Sequence, residues 1–196
     1  MQIVAFKKGF AVLVFVVLLI AGVQTSLSQT SQQQERQVEN KIPKHVPIEV
    51  KLTKEKEKNW KDLKNENWAR DFEVEITNRG DKPIYALVVR LYFDVPNGSE
   101  DYSSTDIAYG RREINNSSFK ATADDVPIKP GESNRFTIQP ESLRAWEYGR
   151  RVKGYRLPTK VEIALLSLSF GDGTGLMGDR MGTVVPVPVI RRPTPE

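Results

Sequence analysis

The chain has 196 residues and no cysteine, which excludes disulfides, thiol nucleophiles and thiolate metal sites. Its single histidine, His45, excludes a metal site built from several histidines. Of the 29 basic residues, Lys7 and Lys8 precede an apolar run, and the other 27 oppose 25 acidic residues, a balance that does not indicate a nucleic-acid partner.

The N-terminus predicts an export signal over residues 1–28. Lys7 and Lys8 form its basic start, and no charged side chain follows in residues 9–23. Ser26 and Ser28 supply the small side chains that a signal peptidase requires for cleavage after residue 28. The apolar run of 15 residues is shorter than the roughly 20 that span a bilayer, which favours a cleaved signal peptide.

An uncleaved signal-anchor is the alternative, with residues 3–23 as a membrane tether if the two lysines snorkel. In either case we expect an exported protein, periplasmic or extracellular, and in the second case it is anchored in the inner membrane. Residues 29–45 are polar and aperiodic, which predicts a flexible spacer. We expect the folded domain over residues 46–190 and a disordered, proline-rich tail over residues 191–196.

Alternating apolar residues predict the first strands at 47–52 and 72–77. Turn-forming residues at 78–81 precede a β-branched and aromatic run at 84–95, so the second and third strands are predicted to pair as a hairpin. The third strand is apolar on both faces, which is typical of a central strand.

The second half of the chain predicts shorter strands and one helix. Further strands are expected at 107–109, 135–138, 160–170 and 183–189, with a glycine-rich turn at 171–175. Pro140 suits the first turn of a short helix, and Gly149 suits its end. Trp60 and Trp68 are eight residues apart, which fits one helical face or two loop positions, and we expect both in the core.

Six or seven strands without a βαβ rhythm predict a mainly β fold. We expect a single immunoglobulin-like (Ig-like) antiparallel β-sandwich with one short helix, preceded by the N-terminal hydrophobic signal helix.

Residues 65–78 and 80–85 resemble uncharacterised exported bacterial proteins that contain an Ig-like domain. The chain is similar to FxLYD-type domains, in which a strand ends in Thr-Asn and a later strand carries Leu-Tyr-Phe. Here Thr77-Asn78 and Leu91-Tyr92-Phe93-Asp94 occupy those places, and residues 130–132 and 170–174 also fit. The resemblance covers residues 46–175 and implies a fold without implying catalytic residues.

The most uneven charge lies at residues 144–156, where five basic residues oppose Glu147 and three aromatic residues are interleaved. Arginine binds anionic oxygens, and flat aromatic rings stack on sugars or bases. The predicted ligand-binding residues are Arg144, Trp146, Tyr148, Arg150, Arg151, Tyr155 and Arg156. The alternative is that the aromatic rings pack on the end of the sandwich and the arginines are solvated.

Acidic residues flank or lie in the long connection over residues 96–125. Asp94, Asp101 and Asp106 are weak candidates for a calcium site, with Asp172 and Asp179 as a second pair, yet neither segment has the pattern of a calcium loop. Paired carboxylates could also hydrolyse glycosides, but no motif fixes two of them at a working separation. His45 adjoins the spacer, so we expect a solvated side chain rather than a catalytic one.

We therefore expect an exported, non-catalytic Ig-like domain, with no cofactor, that binds an envelope protein or another envelope component. A carbohydrate- or anion-binding module that uses residues 144–156 is the alternative, and a hydrolase that uses loop carboxylates is a weaker one. The sequence leaves the oligomeric state open.

Overall fold

Strands dominate the computed structural model, which describes residues 35–94, 103–111 and 120–187 within one compact unit, Glu35–Glu196. The described residues form, in chain order, β1 (Gln37–Asn40), β2 (Ile48–Leu52), α1 (Lys54–Lys61), α2 (Trp68–Asp71), β3 (Glu73–Asn78), β4 (Ala86–Phe93), β5 (Ser103–Tyr109), β6 (Ser133–Thr137), α3 (Pro140–Lys153), β7 (Lys160–Ser169), β8 (Gly175–Gly178) and β9 (Val184–Pro186). The predicted signal, the tether, Asp101 and the predicted tail lie outside the described residues.

The strands form two sheets. The larger has the order β5-β4-β7-β8-β9, with β1 also paired to β7, and the smaller has the order β2-β3-β6. Every named strand pair is antiparallel except β1 with β7, which is parallel. The prediction of a mainly β fold with antiparallel sheets is confirmed.

Both sheets turn apolar residues toward one buried cluster. Val74 and Ile76 of β3 alternate with more exposed residues, as do Leu87 and Leu91 of β4, because successive side chains point to opposite faces of a strand. The ring of Tyr109 on β5 also meets that of Phe136 on β6, with centroids 6.2 Å apart. Burial of each such large apolar side chain contributes about 1.5–3 kcal/mol to folding.

The predicted hairpin between the strands around residues 72–77 and 84–95 is wrong, because β3 and β4 belong to different sheets. The hydrogen bonds of Asn78 explain why the chain leaves one sheet after β3 and enters the other at β4. Its buried side-chain amide donates to the carbonyls of Lys82 and Ile128, each at 2.9 Å, while its Oδ1 accepts from the Gly80 amide at 2.9 Å. These bonds direct the chain away from β3, and β4 becomes a central strand between β5 and β7, as its apolar sequence predicted.

Three helices, rather than the one expected, lie among the described residues. Helix α1 has the sequence KEKEKNWK, whose single large apolar residue gives no apolar periodicity to detect. That residue, Trp60, and Trp68 at the start of α2 are both 0% exposed, which confirms their predicted place in the core.

Helix α3 passes through Gly149, where the sequence predicted its end, and continues to Lys153. A Cβ at position 149 would lie 2.5 Å from the ring of Tyr155, so the glycine makes room for that ring against the helix. The helix ends instead at Gly154, whose φ of 68° is the left-handed conformation common at helix C-termini.

The fold begins earlier than residue 46. Residues 37–40, inside the predicted flexible spacer, form β1 and pair with residues 160–163 of β7. Strand β4 pairs along one edge of β7. The other edge is shared, because residues 160–163 pair with β1 and residues 167–169 pair with β8. None of the helices among the described residues is long and apolar enough to cross a membrane.

Candidate functional site

Helix α3 divides the predicted binding residues between two faces. Residues 144, 148 and 151 recur at helical spacing and are exposed, whereas Trp146 is half-buried and faces the body of the domain. We call Arg144, Tyr148, Arg151 and Val152 the outer face of α3. The single basic-aromatic site expected from the sequence is therefore two surfaces with different chemistry.

A cavity of about 250 Å³ lies between α3, α2 and the adjoining ends of β4 and β5. We call it the aromatic cavity. Its lining residues are Trp68, Ala69, Phe93, Ser103, Ser104, Thr105, Ile138, Ser142, Leu143, Ala145, Trp146 and Tyr155. Two of the predicted binding residues, Trp146 and Tyr155, thus contribute to its wall.

Four aromatic rings build one side of the aromatic cavity. The ring of Trp68 contacts those of Phe93 and Trp146 edge to face, with centroids 5.2 and 5.5 Å away. Trp146 also lies 5.7 Å from Phe93 and 6.1 Å from Tyr155. Each such pair adds about 0.5–1.5 kcal/mol beyond burial, so the packing that shapes the wall also stabilises it.

Three polar atoms of this wall are buried without a hydrogen-bond partner in the described part of the chain. They are the indole Nε1 atoms of Trp68 and Trp146 and the hydroxyl Oγ1 of Thr105. An unpaired buried donor costs about 1–3 kcal/mol, and such groups are uncommon in folded proteins. All three atoms are closed to solvent, so they are unsatisfied groups within the packed wall.

Arg150 and Arg151 are neighbours in sequence with different surroundings. Arg150 is half-buried, and its guanidinium lies 3.5 Å from the carbonyl oxygen of Glu66 and 3.7 Å from the Glu66 carboxylate. Arg151 is exposed and has no acidic partner among the described residues. Arg150 therefore joins α3 to the segment before α2, and of the two only Arg151 is free to meet a partner.

The outer face of α3 is basic and partly apolar. Tyr148 is 53% exposed and Val152 is 57% exposed. Arg144 forms an exposed ion pair with Glu141 at 3.3 Å, and the carboxylate of Glu147 is engaged by Arg70 at 2.9 Å. Arg156, which follows the helix, is exposed and also lacks an acidic partner within the described ranges.

The carboxylates proposed from the sequence serve the fold. Asp94 accepts from the backbone amides of Thr159 and Lys160 at 2.9 and 2.7 Å, which joins the end of β4 to the start of β7. Asp106 forms a two-point pair with Arg90 at 2.6 and 2.8 Å. No group of three or more metal-ligating side chains occurs in the part of the chain that is described.

Asp172 and Asp179 cap turns in the same way, and accept from the amides of Thr174 and Thr183 at 2.8 and 2.9 Å. Hydrogen bonds from Thr174, together with Lys82, lower the pKa of Asp172 to about 2. Such a shift keeps a carboxylate ionised, which is the opposite of what a general acid requires. His45 is exposed, as the sequence predicted.

A second hollow, of about 630 Å³, lies beside β1. Its charged lining residues largely satisfy one another, since Lys61 pairs with Glu57 at 2.6 Å and Lys160 pairs with Glu39. This hollow therefore presents neutralised charge, whereas the lining of the aromatic cavity contains no charged residue.

Sequence reasoning missed Arg36, which is 1% exposed although it lies in the predicted spacer. Its guanidinium donates to the carbonyls of Pro158, at 2.8 Å, and Trp60, and sits 4.9 Å from the ring centre of Trp68. Burial lowers its pKa to about 10. Arg36 thus supports the indole that lines the aromatic cavity, and no motif in the sequence marks it.

Comparison with known proteins leaves the chain without an assigned family: no family model, no curated protein and no solved structure matches it. The functional conclusion therefore depends on the residues of the chain itself.

Proposed function

We propose that the chain is an exported, non-catalytic Ig-like domain that binds an acidic surface of a cell-envelope protein through the outer face of α3. One observation carries the proposal. The exposed side chains of Tyr148 and Val152 lie on the same helical face as Arg151, a cation without an acidic partner among the described residues. Tyrosine and arginine are enriched at protein interfaces, where an aromatic anchor is combined with complementary charge.

The export and fold parts of the proposal have separate support. Export is supported by the signal-like residues 1–28. The Ig-like assignment is supported by two sheets, antiparallel except for the β1–β7 pair, whose inward-facing residues contribute to a shared apolar cluster.

The non-catalytic part is supported by the hydrogen bonding of the acidic residues. Asp94, just before the long connection, and Asp106, on β5, are both engaged by donors within the fold. A glycoside hydrolase needs two carboxylates that face a common cleft, and these two are committed elsewhere.

Two matched variants test the outer face of α3. The double substitution Arg144→Ala/Arg151→Ala removes two cations from the outer face of α3. As the control, Lys54→Ala/Lys58→Ala removes two exposed lysines from α1. Immobilised domains would be incubated with detergent-solubilised envelope proteins, and the retained proteins identified by mass spectrometry at low and at physiological salt.

We expect wild type and the α1 control to retain the same acidic proteins, and the α3 variant to lose them. Retention should also fall as salt rises, because exposed charges are screened. Equal retention by both variants would overturn the proposal. Vesicles with anionic lipid give the other arm of the test: if they bind wild type and the α1 control but not the α3 variant, and no protein is retained, the protein partner is overturned and the outer face meets a bilayer surface.

A further inference from the structure

We propose that strand β2 pairs with the β2 strand of a second copy of the chain, so that their smaller sheets join edge to edge. Strand β2 lies at one end of the smaller sheet, whose order is β2-β3-β6. An end strand presents backbone groups that can pair with another chain. This edge shares no residue with the outer face of α3, so the inference goes beyond the proposed function and does not depend on it.

The register of β2 against β3 determines which backbone groups remain free. The carbonyl of Pro47 accepts from the Arg79 amide at 2.9 Å. At the other end of the strand, the Thr53 amide donates to the Glu73 carbonyl at 3.2 Å. Because bonded and non-bonded pairs alternate along an antiparallel ladder, the even-numbered residues of β2 direct their backbone groups away from β3.

These outward residues are Ile48, Val50 and Leu52. The Ile48 amide donates to the carbonyl of Val46 at 2.8 Å, so this donor is already used. No backbone bond outside the β2–β3 ladder joins Val50 or Leu52 to a described residue. The edge therefore keeps the amides of Val50 and Leu52 as donors for another strand.

The side chains of β2 are self-complementary about Val50. When two copies pair antiparallel with Val50 opposite Val50, Glu49 of each copy lies opposite Lys51 of the other. Cross-strand pairs of opposite charge stabilise a sheet, and like charges directly opposite destabilise it. On the face that packs against the core, Ile48 lies opposite Leu52, so apolar side chains meet.

The same register matches the free backbone groups. The two Val50 residues would exchange a pair of bonds across the symmetry axis, and each Leu52 amide would reach the Ile48 carbonyl of the other copy. The contact is isologous, which is the commonest way in which two identical chains associate.

Three other edge strands lack this fit. Strand β6, at the opposite end of the smaller sheet, has Arg135 at its middle, so pairing about the midpoint would set two arginines opposite each other. Strand β5 has Asp106 at its middle and would oppose two carboxylates in the same way. Strand β9 contains Pro186, which has no amide donor.

Open space adjoins β2 at its C-terminal end. The hollow of about 630 Å³ beside β1 is also lined by Leu52, and by Glu57 and Lys61 of α1. Val38 of β1 and Leu52 line it and are only partly buried, although both pack against the core. A strand added beside β2 would remove apolar surface of these two residues from water.

The concentration dependence of the mass tests the proposal. Two five-residue strands make a small contact, below the roughly 1,200 Å² of standard interfaces, so we expect weak association. The chain from residue 29, which contains the compact unit Glu35–Glu196, would be studied by sedimentation velocity from about 10 μM to about 1 mM. We expect a monomer at the lowest concentration and an increasing fraction of dimer above it. A monomer throughout would overturn the proposal.

Charge reversal tests the register. Glu49→Lys sets positive charges opposite each other and Lys51→Glu sets negative ones, so each variant alone should remain a monomer. An equal mixture of the two should recover the dimer, because every cross-strand pair then has opposite charges. The control is Lys129→Glu, which reverses a charge that is 69% exposed and lies away from β2, and it should associate like wild type.

Val50→Pro tests the backbone bonds rather than the charges. It removes the outward amide donor, and edge strands tolerate proline at such a position. Each copy loses one bond, so the dimer should be weakened about 10-fold or more. Val50→Thr keeps the donor and the branched shape as the matched control, and thermal unfolding establishes that each variant is folded. Unchanged association in Val50→Pro, or in both single charge variants, would overturn the proposal.

The Arg144→Ala/Arg151→Ala variant separates this inference from the proposed function. It should form the dimer normally, and Glu49→Lys should retain the same acidic envelope proteins as wild type. Loss of self-association in the α3 variant would place the contact on α3 instead of β2 and would overturn the inference.

Discussion

The inner and outer faces of α3 contain similar residues in different environments. On the inner face Trp146 packs among aromatic rings, including that of Tyr155 just after the helix, and Arg150 contacts Glu66, whereas on the outer face Tyr148 and Arg151 are exposed. Composition therefore does not decide which aromatic or basic residue can meet a partner. The helical phase decides it, because a residue's position around the axis determines whether it faces the domain or the solvent.

The largest effect should come from truncating an indole on the inner side. Trp68→Ala removes a side chain that packs on Arg36, Phe93 and Trp146, and should lower the free energy of unfolding by about 3–5 kcal/mol. Tyr148→Ala on the outer face should change it by less than about 0.5 kcal/mol. Urea unfolding monitored by circular dichroism measures both, and similar losses in the two variants would contradict the contrast between the packed side of α3, where Trp68 contacts Trp146, and its exposed outer face.

An intermediate effect should come from Gly149→Ala. Helix propensity alone predicts that Gly149→Ala raises the free energy of unfolding by about 1 kcal/mol, since glycine is a poor helix former. The new Cβ would lie 2.5 Å from the Tyr155 ring, so we expect a net loss of about 1–3 kcal/mol instead.

The effect of Gly149→Ala on the free energy of unfolding should change sign when Tyr155→Ala is also present. Without the ring there is no clash, and Gly149→Ala should then stabilise the domain by up to about 1 kcal/mol relative to Tyr155→Ala alone. A double-mutant cycle from denaturant unfolding measures this coupling. The same loss in both backgrounds would mean that Tyr155 does not occupy the space left by the glycine.

The smallest effect should arise away from α3, at the turn that holds Asp172. Its pKa is lowered from 3.8 to about 2, so its ionised form stabilises the fold above pH 3.8 and this contribution is lost as the pH falls through about 2. Asp172→Asn should therefore be less stable than wild type at pH 5, by less than about 1 kcal/mol because the group is half exposed, and the difference should disappear near pH 2. Chemical unfolding across this pH range measures it, and a difference that grows toward pH 2 would reverse the assigned shift.

Much of the strand pattern could be predicted from local sequence, because alternation and β-branched residues mark strands directly. Strand β4 and its central place follow from its apolar residues on both faces. The pairing of β3 could not be predicted in this way, since it depends on the bond from Asn78 to Ile128, 50 residues away. Helix α1 escaped detection because Trp60 alone supplies its apolar side.

The candidate site was predictable in its residues and not in its arrangement. The sequence identified Trp146 and Tyr155 through composition, and helical spacing separates Tyr148 from them. The other residues of the cavity wall include Thr105 and Trp68, which are 41 and 78 residues away from Trp146 in the sequence. A local sequence pattern cannot predict contacts between residues so far apart along the chain. Arg36 was equally hidden, because an arginine in a polar segment normally predicts a solvated side chain.

Strand β1 determines where an autonomous folding unit of this protein must begin. A fragment that starts at residue 46 would lack Arg36 and would leave residues 160–163 of β7 without a neighbour on one side. Exposed backbone N–H and C=O groups on an otherwise central strand are a template for pairing with another chain. Such a fragment should associate with itself or aggregate, whereas one that starts before Glu35 keeps that edge covered and leaves the strand's hydrogen bonds within a single molecule.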